Sequence, residues 1–133
     1  MSPQDDLSLD DTPARPAAGA GSGHAPDPST TSLTRGLNSA QRSAVTSDAE
    51  KLRILAGAGS GKTRVLTHRI AYRAETGDAD PQRTLAVTFT RKAASELRER
   101  LGRLGLRGGV QAGTFHSVAW AQLRQRWEER GIR

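Results

Sequence analysis

An α/β fold is what this sequence predicts, a parallel sheet with flanking helices that follows a long leader. Three observations point to it. Short β-rich apolar runs alternate with segments of helical periodicity, an order that favours parallel strands joined by helical crossovers. A glycine-rich loop separates the first such strand from the first long helix. Five of the six prolines fall within the first 36 of 133 residues, so residues 37–133 hold nearly all the sequence suited to regular structure.

Residues 1–36 read as a disordered, low-complexity leader. Ala14-Arg15-Pro16-Ala17-Ala18-Gly19-Ala20-Gly21-Ser22-Gly23 and Pro26-Asp27-Pro28-Ser29-Thr30-Thr31-Ser32 surround an isolated, solvated His24. Leu7, Leu9, Leu33 and Leu37 are too sparse to offset the entropy of ordering the backbone. Charge divides the chain at the same place, with a net of −3 over residues 1–35 and +9 over residues 36–133. The basic surplus favours a polyanionic partner, a nucleic acid or a nucleotide. The chain has no cysteine, which excludes disulfides, thiolate chemistry and Cys-based metal sites. It has no run of about 18 apolar residues that would cross a membrane, and its first residues, Met1-Ser2-Pro3-Gln4-Asp5-Asp6, do not resemble a secretory signal. A soluble cytoplasmic protein is expected.

The elements follow in order. Asn38 or Ser39 caps a short helix running to about Thr46. Leu52-Arg53-Ile54-Leu55-Ala56 is a compact apolar run broken by Gly57, the pattern of a buried strand ending in a loop. Val65, Leu66, Arg69, Ile70 and Arg73 then keep helical spacing to about Glu75. After turn residues Gly77-Asp78-Ala79-Asp80-Pro81, Thr84-Leu85-Ala86-Val87-Thr88-Phe89 is a second strand. Ala93, Ala94, Leu97, Leu101 and Leu104 mark one helical face, closed by Gly105, Gly108 and Gly109. Val110 to Phe115 predict a third strand, and from His116 a last helix turns Val118, Ala119, Leu123 and Trp127 to one side.

Ala56-Gly57-Ala58-Gly59-Ser60-Gly61-Lys62-Thr63 fits the phosphate-binding loop, with Ala56 at the first of its two usual glycine positions. The glycines let successive N–H groups turn inward, and the positive end of the next helix adds to the anion site. Lys62 would reach the β- and γ-phosphates, and the Thr63 hydroxyl would ligate Mg²⁺. Two further stretches join strand ends to helix starts. Thr88-Phe89-Thr90-Arg91-Lys92 offers hydroxyls, cations and an aromatic, a set able to hold single-stranded nucleic acid. The same stretch also reads as a helix cap at Thr90 with Phe89 in the core. Gly113-Thr114-Phe115-His116-Ser117 repeats the design. Ligands of open α/β sheets gather at the carboxyl ends of strands, and all three segments are expected at one such edge. The acidic partner that orients Mg²⁺ in an ATPase is not apparent, since Glu128 and Glu129 follow no apolar run and Asp78 and Asp80 lie in a turn.

Leu37-Asn38-Ser39-Ala40-Gln41, Ala56 to Leu66, Thr88-Phe89-Thr90-Arg91-Lys92-Ala93-Ala94 and Gly113 to Ser117 together resemble the opening motifs of UvrD/Rep/PcrA-type superfamily 1 DNA helicases, in the family's order. The resemblance covers residues 36 to 120. It implies a RecA-like P-loop domain and an ATP-driven motor that moves 3′ to 5′ on single-stranded DNA. It also implies that Gln41 senses adenine, that Ala56, Gly57, Ala58, Gly59, Ser60, Gly61, Lys62 and Thr63 hold ATP, and that Lys62 and Thr63 are the catalytic essentials. Phe89, Thr90, Lys92, Thr114, Phe115, His116 and Ser117 match segments that contact single-stranded DNA in the family. Arg64 follows the loop without an assigned role. Arg91 stands where many members have Asn.

The family's acidic motif, second core domain and accessory domains have no counterpart here. Residues 37–133 therefore read as the amino-terminal portion of a longer helicase, not competent for turnover alone. A helicase–nuclease subunit shares these motifs, and a free-standing ATP- or DNA-binding lobe is the alternative of a different class. A small P-loop kinase would need an acceptor or lid segment that is not identifiable.

Overall fold

The computed structural model describes residues 5–8 and 28–132. The chain divides into two compact units, Met1–Asp78 and Ala79–Arg133.

In the first unit, strand β1 (Asp5–Ser8) and helices α1 (Pro28–Thr34) and α2 (Ser39–Thr46) precede strand β2 (Leu52–Leu55) and helix α3 (Lys62–Glu75). Asn38 caps α2 as expected, and does so reciprocally. Its side chain accepts the Gln41 N–H at 2.8 Å while Gln41 Oε1 accepts the Asn38 N–H at 3.1 Å, a capping box. Leu37, Ala44, Val45 and Val65 form the buried core, with Ile54, Ala56 and Tyr72 packed against it. Helical spacing in α2 and α3 and strand alternation in β2 thus converge on one apolar cluster.

The leader departs from its sequence reading at two places, β1 and α1. β1 pairs in parallel with β2, Asp5 opposite Leu52 through Ser8 opposite Leu55. A strand edge recruits backbone N–H and C=O groups, so this pairing does not need the apolar content the leader lacks. α1 is held from α3, where His68 Nδ1 lies 2.6 Å from the Leu33 carbonyl, and Thr30 is buried. The low-complexity run Ala14 to Gly23 and His24 lie outside the described residues. β2 is also less enclosed than a buried strand would be. Its side chains alternate between half-buried and exposed, and Leu55 is half exposed.

The second unit contains a short 3-10 turn (Pro81–Arg83), strand β3 (Leu85–Thr88), helix α4 (Arg91–Arg103), strand β4 (Gln111–Thr114) and helix α5 (Phe115–Glu129). β3 and β4 are parallel, Leu85 opposite Gln111 through Thr88 opposite Thr114, with α4 as the crossover. Ala86 of β3 and Ala94, Leu97 and Leu101 of α4 are buried, which bears out the apolar face read from sequence. Arg98 Nη1 donates to the Ala112 carbonyl at 2.9 Å and ties α4 to β4. Where the sequence predicts one parallel sheet, the described strands form two separate pairs, β1–β2 and β3–β4. No side chain of α5 is buried among the described residues, so the face expected to carry Val118, Ala119, Leu123 and Trp127 is not enclosed. Trp120, which that face did not include, meets Trp127 edge-on with ring centroids 5.7 Å apart. No helix among the described residues is long and apolar enough to cross a membrane.

Arg69 of α3 holds the far end of α2. Its guanidinium donates to the carbonyls of Ala44 at 2.8 Å, Ser47 at 2.7 Å and Ala49 at 3.3 Å, with a longer contact to Val45 at 3.5 Å. Helix ends leave such carbonyls without partners, and a planar five-donor fork can collect several at once. Partial burial lowers the Arg69 pKa, Arg73 lowers it further and Asp48 opposes both. Arg69→Ala is expected to lower the unfolding free energy by about 2 kcal/mol in urea titrations, because several charge-assisted bonds are lost. Arg69→Lys should recover only part of that loss, since an ammonium cannot span the same carbonyls.

Candidate functional site

The glycine-rich loop leaves β2 at Ala56 and ends where α3 begins at Lys62. Gly59 and Gly61 have φ values of 76° and 79°, the left-handed region that favours glycine. Ser60 closes the turn between them, its Oγ donating to the Gly57 carbonyl at 2.6 Å. These conformations draw the loop back on itself, so that α3 starts within it.

The start of α3 differs from those of α2, α4 and α5. α2, α4 and α5 each accept a cap from Asn38, Thr90 and Thr114. α3 has Gly61 at its N-cap, and among the described residues no side chain caps it. The first intrahelical bond is Val65 N–H to the Gly61 carbonyl at 2.9 Å, which leaves the earlier N–H groups of the turn for solvent or an anion. Lys62 folds back over the loop, its Nζ 3.2 Å from the Gly57 carbonyl and 3.4 Å from that of Ala56. Thr63 is exposed on the first turn. Thr67, one turn on, is buried and bonds the carbonyls of Thr63 and Arg64 at 3.0 Å each. Arg64, for which sequence offered no role, brings its guanidinium close to Gly36, 3.2 Å from where a Cβ would lie.

Gln41 is brought to this loop from 19 residues away. Its Nε2 donates to the Ser60 carbonyl at 3.0 Å, in addition to the capping contacts with Asn38. A primary amide has two donors and two acceptor lone pairs, so one N–H and one lone pair remain available. Arg69 and the reciprocal partnership of Asn38 with Gln41 went unread in the sequence. The Asn-x-x-Gln spacing was a usable signal for the second, and nothing local marked Arg69 as a clamp.

The remaining candidates lie in the second unit. Parallel pairing of β3 and β4 puts Phe89, Thr90 and Lys92 beside Thr114, Phe115, His116 and Ser117 at one sheet edge. Two of the three segments expected to share an edge therefore do so, and the glycine loop belongs to the other unit. Thr90 Oγ1 accepts the Ala93 N–H at 3.1 Å and Thr114 Oγ1 accepts the Ser117 N–H at 3.2 Å, so both threonines are caps. Phe89 is not in the core, being 92% exposed, and Phe115 is 64% exposed. Lys92 and His116 are exposed beside them. Ser117 Oγ donates to the Thr114 carbonyl at 2.9 Å and would lie 2.9 Å from a Cβ at position 113, so Gly113 permits this tight turn. Residues 79–133 carry eleven Arg and Lys against five Asp and Glu. Exposed aromatics at one edge of a basic unit are able to stack bases while cations take phosphates.

These placements separate stability from binding. Thr90→Ala and Thr114→Ala should each cost about 1 kcal/mol in chemical denaturation, the usual loss for a removed cap. Phe89→Ala, at a side chain with almost no packing, should leave the denaturation midpoint unchanged.

The UvrD/REP helicase N-terminal domain model matches residues 37–133. The chain is similar to DNA helicase II of Escherichia coli (strain K12), 50% identical over 94 residues that cover 69% of this chain and 13% of that protein. It is 47% identical over 103 residues to ATP-dependent DNA helicase PcrA of Leuconostoc citreum, covering 75% of this chain and 14% of that protein. With ATP-dependent DNA helicase UvrD2 of Mycobacterium bovis it shares 46% identity over 102 residues, 71% of this chain and 15% of the relative. The chain thus spans about one seventh of the length of these relatives. The glycine loop, the Gln41 contact and the paired strand ends all fall inside the matched residues, and this chain belongs to the UvrD/REP helicase N-terminal domain family.

Proposed function

We propose that this chain is the amino-terminal ATP-binding portion of a UvrD-type DNA helicase, a RecA-like P-loop domain that moves 3′ to 5′ on single-stranded DNA in the cytoplasm when part of a complete motor. The observation that carries the reading is the uncapped start of α3 inside the glycine loop, with Lys62 folded over it.

In this reading Ala56, Gly57, Ala58, Gly59, Ser60 and Gly61 turn backbone N–H groups toward the β-phosphate of ATP. Lys62 exchanges its two carbonyl contacts for the β- and γ-phosphate oxygens. Thr63, exposed one position on, supplies a hydroxyl oxygen to Mg²⁺. Bound Mg²⁺ would supply charge neutralisation at the phosphates, with Thr63 the residue of this segment that would help hold it. Gln41 presents its free amide N–H and lone pair to the N6/N7 edge of adenine, a pairing that suits a primary amide. No cluster of three His, Asp or Glu able to hold a metal occurs among the described residues.

At the other unit's edge, Phe89 and Phe115 stack bases, and Lys92 and His116 approach the phosphates. Thr90, Thr114 and Ser117 fix the helix starts beside these side chains. Arg91, exposed on the first turn of α4, adds a cation there.

Lys62→Ala in the full-length helicase should reduce DNA-stimulated ATP hydrolysis by at least about 100-fold, since the lysine stabilises charge developing on the transferred phosphoryl group. Unchanged turnover in that variant would sink the reading. Phe89→Ala should weaken binding to an oligothymidylate by about tenfold, the loss of one stacked base. Its ATP affinity should stay as in the parent protein.

A further inference from the structure

The contact between Gln41 and the Ser60 carbonyl has a role that adenine recognition does not account for. We infer that Gln41 is a positioning residue for the phosphate loop itself, holding the Ser60–Gly61 peptide through Nε2 whether or not a base is present; this rests on the reading of the loop as a triphosphate site.

Four observations converge on it. Gln41 Nε2 donates to Ser60 O at 3.0 Å. The same amide sits directly over Gly61, 3.1 Å from where a Cβ would be, so glycine at that position admits it. Oε1 is held from behind by the Asn38 N–H, and the Gln41 backbone N–H by Asn38 Oδ1, which fixes the side chain's direction. Finally, α2, which carries Gln41, is itself fastened to α3 by Arg69 at its other end.

The peptide that Gln41 grips is the one that sets the loop's N–H groups. Ser60 O and Gly61 N belong to one planar unit, so holding the carbonyl on the α2 side aims the Gly61 N–H the opposite way. Gly61 is also the residue from which α3 starts. A glycine-rich segment has many accessible backbone states, and an anion site built from its N–H groups binds in proportion to how often they already converge. A side-chain contact that narrows those states strengthens binding of the phosphates without touching them. Gln41 thereby serves two ends of one nucleotide. Its remaining N–H and lone pair are left for a base, and its committed N–H sets the loop for the phosphates.

The two roles separate with a ligand that has no base. Wild type, Gln41→Ala and Gln41→Met are titrated calorimetrically with Mg-tripolyphosphate and with MgATP, and circular dichroism checks that each variant is folded. Gln41→Met keeps the length and the packing over Gly61 and removes both amide contacts. Both variants are expected to bind tripolyphosphate about fivefold more weakly than wild type, the loss of one well-placed hydrogen bond, and to lose more for ATP. Tripolyphosphate affinity equal to wild type in folded Gln41→Met, with ATP affinity reduced, overturns the inference and leaves Gln41 a reader of adenine alone. Failure of wild type to bind either ligand overturns the triphosphate site and the inference together. Lys62→Ala, run alongside, marks the full loss of phosphate binding and tells that outcome from a weak Gln41 effect.

Discussion

A helix begins with N–H groups that its own backbone cannot satisfy, and most of this structure follows from how each helix answers that requirement. α2, α4 and α5 answer it internally, through Asn38, Thr90 and Thr114. α3 does not, because Gly61 stands at its cap and glycine has no side chain to turn back. The donors are left facing outward beneath a lysine. An unsatisfied terminus of this kind is costly to bury and useful when exposed, because the positive end of the helix then attracts an anion.

Leaving one terminus open requires that everything around it be held. α2 does this from the side, with its first turn on the loop through Gln41 and its last carbonyls on the Arg69 guanidinium. Arg69 is partly desolvated for the purpose, which lowers its pKa, yet an arginine remains charged throughout the accessible range. Between these two fastenings lie Ala44, Val45 and Val65, the most completely buried apolar side chains of the first unit. Apolar packing is non-directional and fixes distance better than orientation. The polar contacts at either end supply orientation, which the loop needs more.

The second unit uses the same grammar for a different purpose. Its two strands end side by side, each leading into a helix capped by a threonine and each followed by an exposed aromatic. Each cap here takes up one first-turn N–H, a bond that α3 lacks. It presents rings and cations instead, Phe89 and Phe115 with Lys92 and His116. Exposed rings of this size are unusual on a soluble surface, and here they lie beside cations.

Much of the fold was legible along the chain because its signals are local. The order of strands and helices after Leu37 follows from periodicity, and Gly57, Gly77 and Gly105 mark breaks where turns occur. The loop's conformation was legible too, since its two left-handed glycines and the following lysine belong to one contiguous segment. Phe89 shows where local reading ends. The sequence left it between core and surface, and only the path of the chain after β3 put it outside. β1 was illegible for a related reason, since strand pairing uses backbone groups that every residue carries. Arg69 was invisible because its partners are carbonyls 20 to 25 residues earlier, chosen by where α2 ends rather than by residue type. By itself, then, the sequence determined the order of elements after Leu37 and the glycine-rich loop, which depend on neighbours a few positions apart. The tertiary structure alone decided that Gln41 meets Ser60, that Arg69 closes α2 and that the strands pair as β1–β2 and β3–β4. Those contacts join groups distant along the chain, and only packing brings them within hydrogen-bonding reach.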